Sequence, residues 1–402
     1  MAISGLGRSA AEPSPEAQPV EVSIVMPCLN EEITLPACIS KAKAAIATNG
    51  LDAEIVVADN GSTDNSRGIA KAMGARVVVA AERGYGAAIR AGIEAARGRF
   101  IIVGDADDSY DFAAIYPFVE RLRQGSDLVI GNRFKGGIDA GAMPWKHRYI
   151  GNPLLSGIGR VFFRISIGDL HCGLRGLRKD AYERMGLVAS GMEFASEMVI
   201  KAAAKGMRVE EVPIRLHRDG RNRPPHLRSF RDGWRHLRFM LLFSPRWLFM
   251  APGAGLLLLG LVASGWLITG PKEIGRLGLD IHTLLAAGFL CLLGYQTMIF
   301  GLFTKFFAIH QGFSQPNPLL ETLGKRITLE VGLLTGLGLV LAGAVVLGAA
   351  VLGWSASGFG PLDPRLTMRQ VIPALVLVAL GVQTIFASFF ISILSVSARR
   401  QA

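Results

Sequence analysis

Through the first 240 positions, apolar residues come in short runs, each followed by a polar cluster and then by apolar residues three or four apart. The runs at 22–26, 54–58, 75–80, 100–103 and 127–130 read as strands. Helices follow to about Ala47, after Asp64 and over residues 89–96. Strand alternating with helix predicts an α/β sheet with right-handed crossovers over residues 21–225. Beyond Pro245 the pattern changes. Stretches 247–268, 284–309, 327–352 and 371–396 are apolar on every face, each long enough to cross a bilayer core of about 30 Å. They predict an all-α membrane domain of four transmembrane helices over residues 246–398, with Pro271 and Pro361 in its polar breaks.

Between these halves, Leu227, Phe230, Trp234, Leu237 and Leu241 recur at helical spacing, with Arg228, Arg231, Arg235 and Arg238 one position along. Residues 226–245 are therefore expected to form amphipathic interface helices, with arginines on lipid phosphates. The alternative is a helix packed on the core with a solvated face. Arg215, Arg218, Arg221 and Arg223 extend the same run, opposed only by Asp219 and Asp232, and concentrate much of the +11 net charge.

Residues 1–20 hold Pro13, Pro15 and Pro19 among Ala, Ser and Glu, so a disordered tail without a secretory signal is expected. An even number of spans then leaves the catalytic half and the C-terminus cytosolic, the chain being an integral protein of the cytoplasmic membrane. Lys325, Arg326, Arg399 and Arg400 would share that side, and Lys272, Arg276, Arg365 and Arg369 the other. Cys28, Cys38, Cys172 and Cys291 have neither metal-ligand spacing nor a disulfide framework.

Candidate chemistry lies where strands end, as in open α/β sheets. Asp105 and Asp107 follow the run 100–103, and two carboxylates one residue apart suit a hard divalent cation, which in turn suits a diphosphate. A solvated acidic turn is the alternative. Asp59 stands at the end of the second strand, before Gly61 and Ser62, where it could accept the N–H of a base or cap the next helix. Gly84 and Gly86 flank Tyr85 before a helix and would let backbone approach a nucleotide closely. Neither a GxxxxGK[ST] loop nor a GxGxxG fingerprint occurs, so NTPase and dinucleotide chemistry lose support.

Taken in order, VSIVMPCLNEE (22–32), IVVADNGSTD (55–64), RGYGAA (83–88), GDAD (104–107) and GNR (131–133) resemble the inverting family 2 glycosyltransferases of the GT-A fold. Within them the chain is similar to the polyprenyl-phosphate enzymes, such as dolichol-phosphate mannose synthase and its undecaprenyl-phosphate relatives. The resemblance covers about residues 21–240. It implies nucleotide-sugar contacts at Pro27, Glu31 and Asp59, and Mg²⁺ or Mn²⁺ with diphosphate at Asp105 and Asp107. It further implies donor or acceptor phosphate contacts at Arg133, Arg218 and Arg221, with Arg223 of the same run grouped with them.

GDLHCG (168–173) resembles the family's Asp-X-X-Ser-Gly segment, with Cys172 at the serine, which makes Asp169 a site residue. Glu193 and Glu197 fall where sugar-contacting acids occur in the family, and Glu197 is the one carried over; a surface face shared with Lys201 is the alternative. The chain departs from the pattern at Leu29, at Asn60 and at Asp108-Ser109-Tyr110, which leaves uracil and guanine both open as the base.

The expected activity is inverting transfer of a hexose, of UDP-glucose or GDP-mannose type, to a polyprenyl phosphate at the cytosolic face. A processive polysaccharide synthase would carry Gln-X-X-Arg-Trp, and here Arg246-Trp247 has Phe243 at the glutamine position. A transporter or flippase partner would need a polar path, which Gln296 and Gln383 do not outline. The basic charge abuts a membrane span rather than an aromatic-lined groove, so no nucleic-acid partner is expected. Gly332, Gly336, Gly338 and Gly343 make a homo-oligomer conceivable.

Overall fold

A computed structural model of the chain describes residues 20–222, 229–310 and 328–399. These fall into two compact units, divided between Phe239 and Met240. The expected tail and Arg223, Leu227, Arg228, Lys325, Arg326 and Arg400 lie outside the described residues.

The first unit opens with β1 (Val22–Cys28), α1 (Leu35–Thr48), β2 (Ala53–Asp59), α2 (Ser66–Ala72), β3 (Arg76–Val79), α3 (Tyr85–Ala95) and β4 (Phe100–Val103). Then come α4 (Tyr116–Arg123), β5 (Leu128–Asn132), a single turn α5 (Arg133–Gly136) and α6 (Asn152–Phe163). It closes with β6 (Arg175–Arg178), α7 (Lys179–Met185), α8 (Phe194–Ala204), β7 (Val209–Pro213) and α9 (Ser229–Leu242).

The strands form one seven-stranded sheet in the order β3-β2-β1-β4-β6-β5-β7. β1 pairs in parallel with β2 and β4, β2 with β3 and β5 with β7, while β6 is antiparallel to both neighbours. β1 and β4 are buried along their whole length, as strands covered on both faces must be. The sheet order reverses beside β1, so β1 and β4 open a crevice at their carboxyl ends.

β6 and β7 were not expected. β6 reads RGLR, and its Arg175 is buried; a guanidinium inside a sheet gives no apolar run to find. β7 reads VEEVP, whose adjacent acids break the period of two.

α9 answers the question of its faces. Phe230 and Trp234 are exposed, with Arg231 and Arg238 beside them, whereas Asp232 and His236 are buried. Met240 shares the buried face, so α9 is packed on one side and outward on the other.

The second unit contains α10 (Ala251–Ile268), a hairpin of β8 (Lys272–Ile274) and β9 (Leu277–Leu279), α11 (Ile281–His310), α12 (Leu329–Ala356) and α13 (Pro364–Arg399). Among the described residues four helices are long and apolar enough to cross a membrane: Arg246–Ile268, Ile281–Phe306, Leu329–Ala356 and Pro364–Leu394. α10 packs on α11, α12 on α13, and α11 on α13. Tyr295 and Thr384 share a 2.6 Å hydrogen bond between α11 and α13. Three of the four glycines considered for self-association are already used. Gly332, Gly336 and Gly343 face Ser388, Ile385 and Ala374 of α13, and only Gly338 faces open space. Arg369, at the start of α13, pairs with Asp280 and the Leu267 carbonyl, so it is spent inside the bundle rather than in a loop.

Candidate active site

The crevice is built by two interlocked loops. After β1, Asn30 takes a left-handed conformation (φ 59°) and its side-chain oxygen accepts the Thr63 N–H at 2.7 Å. Its own N–H donates to Ser62 Oγ, and the Glu31 N–H to Ser66 Oγ, both at 2.9 Å. Glu31 is thereby fixed beside the loop that follows β2. Asp59, which pairs with Cys28 across the sheet, is completely buried and accepts the N–H groups of Gly61 and Ser62. It therefore closes the turn after β2 and does not cap α2, which starts later, at Ser66; Arg67 Nε stands 3.5 Å from the same carboxylate. Pro27, opposite Ala58, is the last residue but one of β1, and Cys28 hands the chain to this loop.

The Asp105–Asp107 turn is held at every residue. Tyr85, between the two glycines, donates its hydroxyl to Asp105 Oδ1 at 2.9 Å. Thr34 Oγ1 donates to the Ala106 carbonyl at 2.7 Å, and Asp107 Oδ1 accepts from the Ser109 N–H and hydroxyl. Lys41 pairs with Asp108 at 2.7 Å. Asp105 Oδ2 lies so close to Gly173 that a Cβ there would stand 2.4 Å from it, so only glycine fits. Burial, followed by the neighbouring Asp107 charge, pushes the Asp105 carboxyl up to about 6.

A returning strand of chain crosses this crevice. Gly220 N–H donates to the Asp107 carbonyl and His217 N–H to that of Ser109. Arg221 then reaches both acids, 2.6 Å from Glu31 and 3.1 Å from Asp107 Oδ2. Arg218 does not join them: it is exposed and donates to the Ala140 carbonyl at 2.5 Å.

On the far side of β4, Arg133 and Asp169 form a buried two-point ion pair, Nε to Oδ2 at 2.6 Å and Nη2 to Oδ1 at 2.7 Å. Burial disfavours the charged Arg133 guanidinium, but the two hydrogen bonds and the charge of the Asp169 carboxylate hold it protonated. The loop carrying Asp169 is pinned by Arg175, whose guanidinium donates to the carbonyls of Leu170, Cys172 and Ala195. All four cysteines are free and buried, and burial raises the Cys172 thiol to about 12.

Two expectations meet a different geometry. Gly84 and Gly86 are closely approached, but by the chain itself: a Cβ on Gly86 would stand 2.6 Å from the Ala189 carbonyl, and one on Gly84 2.2 Å from that of Ser190. Glu197 is fully buried and is neither a surface residue nor open to a sugar. Its carboxylate accepts the N–H groups of Val188 and Ala189 and pairs with Lys201 at 2.8 Å. It thus holds the 188–191 loop against α3, behind Tyr85. Asn60, where an aspartate is usual, fixes the turn before α3 by accepting the Gly84 N–H and donating to the Glu82 carbonyl, both at 2.8 Å. Tyr85, Gly173, Arg175 and Thr34 were missed by sequence reasoning. Only Tyr85, inside the RGYG turn, left a signal.

The acidic turn fits a hard cation. Asp105 and Asp107 offer carboxylate oxygens one residue apart, with the Arg221 guanidinium 3.1 Å from Asp107 Oδ2. Among the described residues no three His, Cys, Asp or Glu side chains gather as ligands. Two carboxylates with phosphate oxygens and water are an ordinary set for Mg²⁺.

Residues 23–186 match the glycosyl transferase family 2 model, and residues 302–395 the glycosyltransferase family 2 C-terminal transmembrane region. The chain is 40% identical over 373 residues to the low-salt glycan biosynthesis hexosyltransferase Agl6 of Haloferax volcanii, covering 92% of this chain and 88% of that protein. It is 29% identical over 194 residues to a dolichyl-phosphate hexose transferase of the same organism, covering 48% and 82%. Among solved structures, glucosyl-3-phosphoglycerate synthase of Mycobacterium tuberculosis with Mn²⁺ and UDP-glucose has a TM-score of 0.43 and 23% identity, covering 56% of this chain and 78% of its own. A relative 40% identical over nearly the whole of both chains places this chain in glycosyltransferase family 2, as an integral membrane hexosyltransferase.

Proposed function

We propose that this hexosyltransferase moves a hexose from a nucleoside-diphosphate sugar to a polyprenyl phosphate at the cytosolic face of the cytoplasmic membrane, with inversion. The observation that carries the reading is the pairing of an acidic turn, Asp105 and Asp107, with two cationic groups, Arg221 and Arg133, at one sheet edge. A site for two anions needs both signs of charge. The dolichyl-phosphate acceptor named for the 29% identical relative supports the choice of lipid.

The chemistry asks little of a base. A phosphate monoester has its second pKa near 6, so at neutral pH the acceptor is already mostly dianionic. What the chain must supply is orientation and charge. Asp105 and Asp107 would hold Mg²⁺ or Mn²⁺, which as a Lewis acid stabilises the departing diphosphate. Glu31 and Asp59 border the nucleotide side of the crevice, and Arg221 is released from Glu31 and Asp107 to meet phosphate oxygens. Arg133, its fork locked by Asp169, holds the acceptor phosphate in line with the anomeric carbon. A single displacement then gives a β-linked product from an α-linked donor, through an oxocarbenium-like transition state.

Outward aromatic and basic residues support the membrane face. Trp145, Tyr149, Ile150 and Leu154 are exposed on and before α6, with Lys146 and Arg148 among them, as Phe230 and Trp234 are on α9. The test is to incubate the purified protein with Mn²⁺, a panel of radiolabelled nucleotide sugars and undecaprenyl phosphate. One donor's label should enter the organic phase and be lost with chelator; no transfer from any donor would overturn the assignment.

A further inference from the structure

α9 sends two aromatic rings outward and two polar side chains inward. Phe230 is 92% exposed and Trp234 54%, while Asp232 and His236 are each only 7% exposed. Aromatic rings and guanidinium groups facing outward suit a headgroup layer. What faces inward reaches the catalytic loop in two steps. His236 Nδ1 lies 2.8 Å from Ser196 Oγ on α8, and the same oxygen lies 3.3 Å from His171 Nε2. The two imidazoles meet edge to face at 4.5 Å. His171 stands two residues from Asp169, the partner of Arg133.

The arrangement has a direction. Ser196 is completely buried and has one proton to give; directed at His236, the nearer imidazole, it leaves the oxygen to accept from His171. His171 Nδ1 is buried without a hydrogen-bond partner. A bare lone pair there costs less than an unmatched N–H, which makes His171 the Nε2–H tautomer and the donor to Ser196, and Ser196 the donor to His236. His236 cannot take a proton at Nδ1 without breaking that order, and a proton on the buried Nδ1 of His171 would meet no acceptor. The neighbouring residue, Leu170, is held independently: its N–H donates to Ser156 Oγ of α6 at 3.2 Å.

We propose that His236, Ser196 and His171 are positioning residues that couple engagement of α9 with an anionic lipid surface to the placement of the Arg133–Asp169 pair. The inference rests on the reading of Arg133 as the acceptor-phosphate site. Its purpose is to order the acceptor side only when the headgroup layer is in reach.

The test measures hydrogen exchange of the backbone amides of residues 168–173 in the full-length protein, in detergent and in nanodiscs rich in phosphatidylglycerol. Protection should rise about tenfold on transfer to nanodiscs, the scale of an ordinary coupling free energy. Ser196→Thr, which keeps the hydroxyl, should retain that rise; Ser196→Ala and His236→Phe should lose it while nucleotide affinity stays unchanged. An undiminished rise in Ser196→Ala, no rise in the wild type, or parallel loss of nucleotide binding would each overturn the coupling. Exchange needs no acceptor, so failure of polyprenyl phosphate as a substrate registers separately in the organic-phase assay.

Discussion

Arg221 stands 190 positions from Glu31 in sequence, yet its guanidinium lies 2.6 Å from that carboxylate. The contact closes the crevice with an internal cation. Binding of a metal and diphosphate has to exchange that cation for others. Arg221→Ala should therefore weaken donor binding, since a phosphate partner is lost, while raising the affinity of the free site for Mn²⁺. Calorimetric titration with Mn²⁺ alone, compared with wild type, checks the sign.

Asp107→Ala should abolish transfer while leaving membrane insertion intact, because among the described residues the carboxylate bonds Ser109 and Arg221 alone. Near wild-type turnover in the purified variant would remove the cation from the reaction.

The Arg133–Asp169 pair is buried, so removing one partner strands a charge. Asp169→Asn should cost about 3–5 kcal/mol in denaturant unfolding. Arg133→Lys keeps the charge but not the fork, and should raise the acceptor KM far more than the donor KM. Steady-state kinetics in both substrates separates the two.

Gly173→Ala would place a Cβ 2.4 Å from Asp105 Oδ2. Because the loop is pinned by Tyr110 and Arg175, the carboxylate is the part that yields. Activity should fall at least tenfold for a stability loss of about 1–3 kcal/mol, the usual cost of overpacking. Thermal unfolding beside kcat measures both.

Burial holds His236 down at about 4 and His171 well below its usual value. The unfolded chain takes up protons near pH 6.5 and the folded one does not, so stability falls as pH drops from about 6.5 toward 4. For His236 the loss is roughly 3 kcal/mol when that window is complete. Asp105 acts in the opposite sense, its raised pKa adding stability as pH falls through about 6. The difference in unfolding free energy between wild type and His236→Phe cancels the Asp105 contribution. It should shrink steadily between pH 7 and pH 5.

Much of this protein is written in runs that any stretch of chain carries by itself. Four apolar stretches of membrane length are legible because no other solvent accepts them, and the parallel strands β1, β2 and β4 because burial on both faces demands continuous apolar sequence. Asp105 and Asp107 are legible for the same reason, since a strand end tells where a carboxylate emerges. The spacing of residues along the chain says nothing about what comes back to meet them. Folding alone brings Arg221 to Glu31, turns Gly84 and Gly86 toward the chain's own 188–191 loop, and buries Glu197 beneath it. It also conceals Arg175 inside β6 and sets Ser196 between two histidines. These are polar groups whose burial is tolerable only once distant partners have arrived, and long-range pairing of that kind leaves no periodicity to read.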